Sequence, residues 1–391
     1  AALLIGFPVL QLVPMPIAWW AALPGHEPFA RALEMAGEAT GLRPASVHPL
    51  ATQYSWLVLV PCIAVFLAVR DFERRQLKRL AIVFIGVACF ESLLGVLQVG
   101  SALGSVVTLG NPYWSGAATG TYINRNHLAA LIAMALPILI ALWAIEMLPI
   151  VTHRGEVLRE HPRNADMKFA LRALFSALAV ILLLALVLTR SRAGIGAGLL
   201  AFALSILALV WRAATLQVKA VLAIVAGTAI VFAAYIGLTP VLERFAPDEF
   251  SLGYEGRAEL TAAALRAALD FLPFGSGLGT FADVFRRYQS GNMVGFADHA
   301  HNDYAEIILE LGVAGVAIIA LLSCAYAARW RAVLRHRGSR RLRFLQVGAG
   351  LGMLAMLVHG AFDFNFHIPA NAIAFSMLAG IFFVTRAEDP A

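Results

Sequence analysis

The sequence predicts an all-α integral membrane protein, and three observations carry that prediction. Hydrophobic residues make up 60% of the 391 and charged residues only 14%, against about 25% charged in a soluble domain. Mean hydropathy is +0.77. The apolar residues are gathered into runs close to the roughly 20 residues a helix needs to cross a bilayer. A net charge of +6 on a soluble chain would suggest nucleic acid, but here Lys and Arg fall mostly in short runs between apolar stretches and read as topology determinants. Cys62, Cys89 and Cys324 lie in three separate apolar segments and form neither a disulfide framework nor a metal spacing.

Taken along the chain, about ten spans are expected. Ala1–Trp20 has no basic signal-peptide region and no initiator Met, so it is expected to be a span whose beginning lies upstream. Tyr54–Val69, Leu80–Val99, Leu128–Leu148, Ala173–Leu188, Ala193–Trp211 and Lys219–Gly237 follow. Tyr304–Ala328, Phe344–Ala361 and Ile368–Thr385 complete the set within one polytopic domain, 1–391. If all of them cross, the basic segments 70–79, 153–172, 211–219 and 329–343 share one side, which the Lys/Arg bias makes cytoplasmic. The other side then receives 21–53, 100–127, the Thr189–Arg192 corner, a long loop from Leu238 to Asn302, and the Phe362–His367 link. The long loop is the one place where an extramembrane subdomain could fold, as one or two amphipathic helices followed by a Gly-rich turn.

That outer side should be poor in basic groups, yet it collects Arg125, His127, Arg190, Arg192, Arg257, His299, His301, His359 and His367 near span ends. Charge at membrane depth is costly and points to function when several groups share a face. Guanidinium groups pair two phosphate oxygens at once and stay charged, and histidine exchanges a proton near neutral pH. Together they suggest chemistry on a phosphate-linked lipid at the outer membrane surface.

The motifs carry this reading with different weight. In "TGTYINRNHLAALIAM", Arg125 and His127 precede a span, where helix caps and snorkelling Arg are the alternative. In "LVLTRSRAGIGAG", Arg190 and Arg192 flank Ser191 in a corner of a few residues; Gly194, Gly196 and Gly198 fit close helix packing better than a phosphate cradle, since no strand precedes them. Arg257 lies in "YEGRAELTAAALRAALDF", and "LPFGSGLGTF" reads as a backbone turn. In "FADHAHNDYAEIILELG", the spacing of Asp303 and Glu306 predicts a capping box that starts the next helix, while Glu310 lies deeper. His299 and His301 precede that cap. A zinc site on this H-x-H pair would need a third ligand from His127, His359, His367 or an Asp, and no metal is expected. His301, which abuts the helix start, is the favoured general base. In "HGAFDFNFHIPANA", His359, Asp363 and His367 fall at i+4 spacing, interrupted by Pro369.

The ordered set "GTYINRNH", "TRSRAG", "GRAEL", "GSGLGTF", "HNDYAEIILELGVAG" and "HGAFDFNFHIPANA", over residues 119–375, resembles the O-antigen ligase and polymerase superfamily of bacterial membrane glycan transferases. The resemblance implies a GT-C-like helical bundle with a large periplasmic loop, here 238–302, in the bacterial inner membrane. It further implies transfer of an oligosaccharide from undecaprenyl pyrophosphate to a hydroxyl of a glycan, lipid A core or protein acceptor on the periplasmic side. The transfer is expected to be inverting and to need no cofactor or metal. By position in the motifs, Arg192 with Arg190 beside it, Arg257 and His301 are the matching functional residues, and Glu310–Gly312 match the ELG ending. Family members often carry a Trp a few residues after the loop Arg, where this chain has Ala262 and Ala263. His301, Arg192 and Arg257 are expected to be catalytic, and Arg190, Arg125, His127, His299 and His359 to bind substrate.

The rival from another class is a transporter or flippase of lipid-linked saccharides, which would place its site near the bilayer midplane. The polar groups here gather at span ends instead. Glu91 and Glu146 are the exceptions, with Glu146 close to the cytoplasmic end.

Overall fold

The helix Arg125–Met147 is buried without a break from Asn126 to Leu142, and its sequence explains why. It is apolar on every face, the pattern of a helix enclosed by others. Its alanines also let neighbours approach closely: a Cβ built on Gly348 would meet the Cβ of Ala141 at 2.7 Å, and Ala133, Ala201 and Ala355 form one small buried cluster. The computed structural model describes residues 2–100, 108–111, 116–147, 150–151, 157–158, 165–210, 247–289, 296–335 and 339–385.

Among these residues seven helices are long and apolar enough to cross a membrane: Pro49–Arg70, Arg74–Val99, Arg125–Met147, Phe169–Leu188, Arg192–Leu209, Asp303–Arg335 and Arg340–Gly360. Pro369–Phe383 is a shorter apolar helix. Among the described residues, sheet is confined to two short antiparallel pairs, Pro14–Pro16 with Leu42–Pro44 and Ile150–Val151 with Val157–Leu158. The expected span Lys219–Gly237 lies outside the described residues, as does most of the basic segment 153–172.

One expected span is overturned. Ala1–Trp20 is not a single crossing helix: a helix Ala2–Gln11 ends before the Pro14–Pro16 strand, and Ile17–Ala21 is a separate short turn of helix. Pro14 and Pro16 cannot donate to a helical ladder and set the chain extended. Pro369 restarts a helix instead of only ending one; it is the first residue of Pro369–Phe383, where its missing N–H costs nothing. His359 closes the Arg340–Gly360 helix and His367 ends a short 3₁₀ turn, Asn365–His367, so Asp363 and His367 do not share one helical face with His359.

The chain divides into two units. The first contains Ala1–Val65, Phe250–Trp330 and Gly360–Ile373. Its core forms where the helix Pro247–Asp270 presents Ala263, Ala264, Ala267 and Ala268, with Phe271 just beyond its end, to Phe281, Val284, Phe285, Ala305 and Leu309. In the described part of the expected loop, 247–289 and 296–302, a helix with one buried face is followed by the Gly-rich turn, as expected. Ala263, at the position considered for Trp, is fully buried in this alanine-lined seam.

Gly312 determines the path of that turn. With φ 58° and ψ −134°, a conformation only glycine adopts without strain, it kinks the helix Asp303–Arg335. The interrupted ladder leaves the carbonyls of Leu309 and Glu310 to accept from the N–H groups of Ser276 and Gly277, both at 3.0 Å. The Glu310 side chain accepts from the N–H of Phe281 at 3.1 Å, and its carbonyl also takes the side-chain amide of Gln11 at 2.8 Å. The depth of Glu310 is thus structural: it anchors "GSGLGTF" as a backbone turn.

The second unit contains Phe66–Glu249, Arg331–His359 and Ala374–Ala391. The two glutamates that fall within expected spans have partners here. Glu146 pairs with Lys78. Glu91 accepts from the N–H of Thr121 at 2.7 Å and from its hydroxyl at 2.8 Å. Seven residues on, along the same helix, buried Gln98 accepts from the N–H of Thr119 and of Gly120, both at 2.9 Å, and donates to the Gly120 carbonyl at 2.7 Å. Together these side chains fix residues 119–121, which lead into Arg125 and His127.

Candidate functional site

In the first unit, Asp363 gathers two of the residues nominated from sequence. Its carboxylate is fully buried. Nδ1 of His301 lies 3.2 Å from its Oδ1, and Nη2 of Arg257 lies 3.8 Å from its Oδ2. Arg257 also donates from Nη1 to the carbonyl of Phe362 at 3.0 Å. A guanidinium has five N–H donors, so these contacts leave donors for a ligand, and about a third of the Arg257 side chain is exposed. His301 is positioned by backbone as well as side chain: its φ of 48° is left-handed, a conformation that costs an L residue on the order of 1–3 kcal/mol and recurs at functional sites. With Nδ1–H directed at Asp363, the Nε2 lone pair is left to accept a proton, on a ring that keeps 26% of its exposure. This is the arrangement of a base oriented by a carboxylate.

Phe364 separates His301 from a second cluster. The His299 ring stacks on it with centroids 4.2 Å apart, and the His301 ring meets it edge-on at 5.0 Å. Nδ1 of His299 lies 2.8 Å from Oε1 of Glu306, and Nε2 of His367 lies 3.3 Å from the same oxygen. Nδ1 of His367 is 3.1 Å from Oδ1 of Asp303. Burial alone would lower the pKa of His367, but the carboxylates of Glu306 and Asp303 outweigh it and push it up to about 10.

The capping box is corrected by these contacts. Asn302 caps the helix, its Oδ1 accepting from the N–H groups of Tyr304 and Ala305 at 3.1 Å each. Asp303 and Glu306 are released from that duty. Oδ2 of Asp303 accepts from Phe366 N–H at 3.4 Å, and Oε2 of Glu306 accepts from Ala300 N–H at 2.9 Å.

The second unit holds the other nominated residues. Arg190 and Arg192 occupy the corner between Ala165–Leu188 and Arg192–Ser205. Ser191 between them is the N-cap, its Oγ accepting from Gly194 N–H at 3.3 Å, and Thr189 closes the preceding turn by donating to the Leu186 carbonyl at 2.6 Å. Arg190 has φ 54°, so two of the three non-glycine residues with positive φ among the described residues, Arg190 and His301, were nominated from sequence. Arg192 opens its helix. Gly194 permits close approach: a Cβ there would meet Ala129 Cβ at 2.4 Å and His359 Cε1 at 3.1 Å, whereas Gly196 faces open space. His359 is therefore fully buried against a helix backbone. Asn124 caps the helix that begins at Arg125, its Oδ1 accepting from Asn126 N–H at 2.9 Å, and His127 is buried with its ring 6.5 Å from that of Tyr122.

Sequence reasoning missed the part played by Asp363. It was weighed only at helical spacing with His359 and His367; its pairing with His301 crosses 62 residues, and an Asp set between two phenylalanines in "AFDFNF" was the available signal.

A multi-pass helical membrane protein with a carboxylate-oriented histidine beside an arginine is the class that these features define. Residues 177–320 match the family model described as O-antigen ligase, which supports the O-antigen ligase/polymerase superfamily. The match spans Arg190, Arg192, Arg257, His299 and His301 and ends before Asp363. No curated protein matches the chain.

Proposed function

We propose that the chain transfers an oligosaccharide from undecaprenyl pyrophosphate to an acceptor hydroxyl, with inversion at the anomeric carbon, on the periplasmic side of the bacterial inner membrane. The observation that carries this reading is the contact of His301 with Asp363, because it sets one tautomer and leaves Nε2 as the proton acceptor. His301 Nε2 takes the proton of the acceptor hydroxyl as its oxygen bonds to the anomeric carbon. The bond from that carbon to the pyrophosphate oxygen breaks, and the pyrophosphate leaves with the electron pair. Asp363 stabilises the imidazolium that forms. Arg257 meets the charge growing on the leaving group, an interaction strongest in the transition state and therefore one that speeds the reaction; a pyrophosphate-binding role for Arg190 and Arg192 is proposed from their sequence motif alone. Arg125 and His127 in the second unit, and His299 in the first, are each proposed to contact substrate, whereas the fully buried His359 acts through its packing on Gly194 and not as a substrate ligand. No step uses a metal, since base and charge stabilisation both come from side chains.

The test is to incubate purified protein in lipid with a defined undecaprenyl-pyrophosphate oligosaccharide and to offer glycan, lipid A core and protein acceptors separately. A new glycosidic bond is expected with one of them, and ladder or single product separates polymerase from ligase. Donor carried across the bilayer with no new bond would support the transporter reading instead.

A further inference from the structure

Glu306 and His367 have no part in the proposed reaction, and they converge with His299 on one point. Their ligand atoms, one from each residue, all lie within 4.8 Å of one another. Both ring nitrogens point at one atom: Glu306 Oε1 is 2.8 Å from His299 Nδ1 and 3.3 Å from His367 Nε2. Ligands of a tetrahedral zinc ion, at bonds of about 2.0–2.1 Å, stand roughly 3.3 Å apart. The His367 contact matches that spacing and the His299 contact is shorter than it.

The surroundings are those of a metal site as well. His367 Nδ1 faces Asp303 Oδ1 at 3.1 Å, which fixes the tautomer with Nε2 as ligand and raises its basicity, the usual carboxylate–histidine support of a bound metal. Glu306 Oε2 is held by Ala300 N–H at 2.9 Å, leaving Oε1 for the ion. Phe364 stacks on His299 and supplies an apolar wall. The His299 and His367 side chains keep 25% and 18% exposure, enough for water to complete a fourth position.

We propose that His299, Glu306 and His367 bind one divalent transition-metal ion of the zinc class, with Asp303 as the supporting carboxylate. The ion is structural. It ties residues 299–306 to the turn at 365–367, the two segments that also carry or adjoin His301 and Asp363. Its binding rests on geometry alone and stands apart from the transferase reading.

The experiment uses the full chain, purified without a histidine tag in detergent, dialysed against a weak chelator and measured for metal content. About one zinc equivalent per chain is expected, and cobalt(II) loading should give tetrahedral visible bands without thiolate charge transfer, which excludes Cys62, Cys89 and Cys324 as the source. His299→Ala and His367→Ala should each lose the ion, and Asp303→Asn should weaken it by about 10- to 100-fold. Wild-type protein that neither retains zinc nor takes it up on titration would overturn the proposal without any variant having to fold. So would histidine variants that bind zinc as wild type does.

Discussion

His301 and Asp363, 62 residues apart, meet at 3.2 Å between Nδ1 and Oδ1, with the carboxylate fully buried and the imidazole partly open. The contact fixes which nitrogen holds the proton. Asp363→Asn should therefore leave the protein inserted but slow transfer by on the order of 10²- to 10⁴-fold, mainly in kcat. Comparing kcat and KM for the donor checks it: an effect confined to KM would remove Asp363 from the role of orienting the base.

Arg192 and Arg257 are each proposed to bind a pyrophosphate group, whose paired oxygens suit a planar fork and not a point charge. Arg192→Lys should then be nearly as impaired as Arg192→Ala, each at least about 10²-fold below wild type in kcat/KM. Arg257→Lys should behave likewise, with a further loss from the contacts to Phe362 and Asp363. Full rescue by lysine at either position would indicate simple charge attraction.

Gly194 and Gly196 are two residues apart and offer a matched pair for testing how the arginine corner is packed. A methyl at Gly194 runs into Ala129 at 2.4 Å, while one at Gly196 meets nothing within 4 Å. Gly194→Ala should cost about 1–3 kcal/mol and lower the thermal midpoint in detergent. Gly196→Ala should leave it unchanged or slightly raised.

Gln98 satisfies two backbone N–H groups and one carbonyl in the 119–121 segment while almost wholly buried. Gln98→Ala should destabilise the protein by on the order of 2–4 kcal/mol, read as a drop in thermal midpoint. Glu91→Gln should cost less, because an amide oxygen still accepts from Thr121.

The membrane architecture was legible because it is written in local composition: helix after helix is an apolar run of the right length, and each described expected span but the first has a helical counterpart. The first failed because hydropathy does not register that Pro14 and Pro16 cannot sustain a helix. The nominated residues stood out because His and Arg are conspicuous at span ends. Their partners did not. Asp363 reaches His301 only after the chain has passed through the Asp303–Arg335 and Arg340–Gly360 helices, and Asp303 resembled a cap until Asn302 proved to hold that position. Glu91 and Gln98 were unreadable for the same reason, since what they bind is backbone, which a sequence pattern does not display.

The central claim is that His301 deprotonates the acceptor. Single-turnover transfer from a defined undecaprenyl-pyrophosphate oligosaccharide, measured for wild type and His301→Ala at matched insertion and thermal midpoint, tests it most directly. The account predicts glycosidic product from wild type and none above background from the variant, with donor binding retained. Product formed by His301→Ala at the wild-type rate would contradict it.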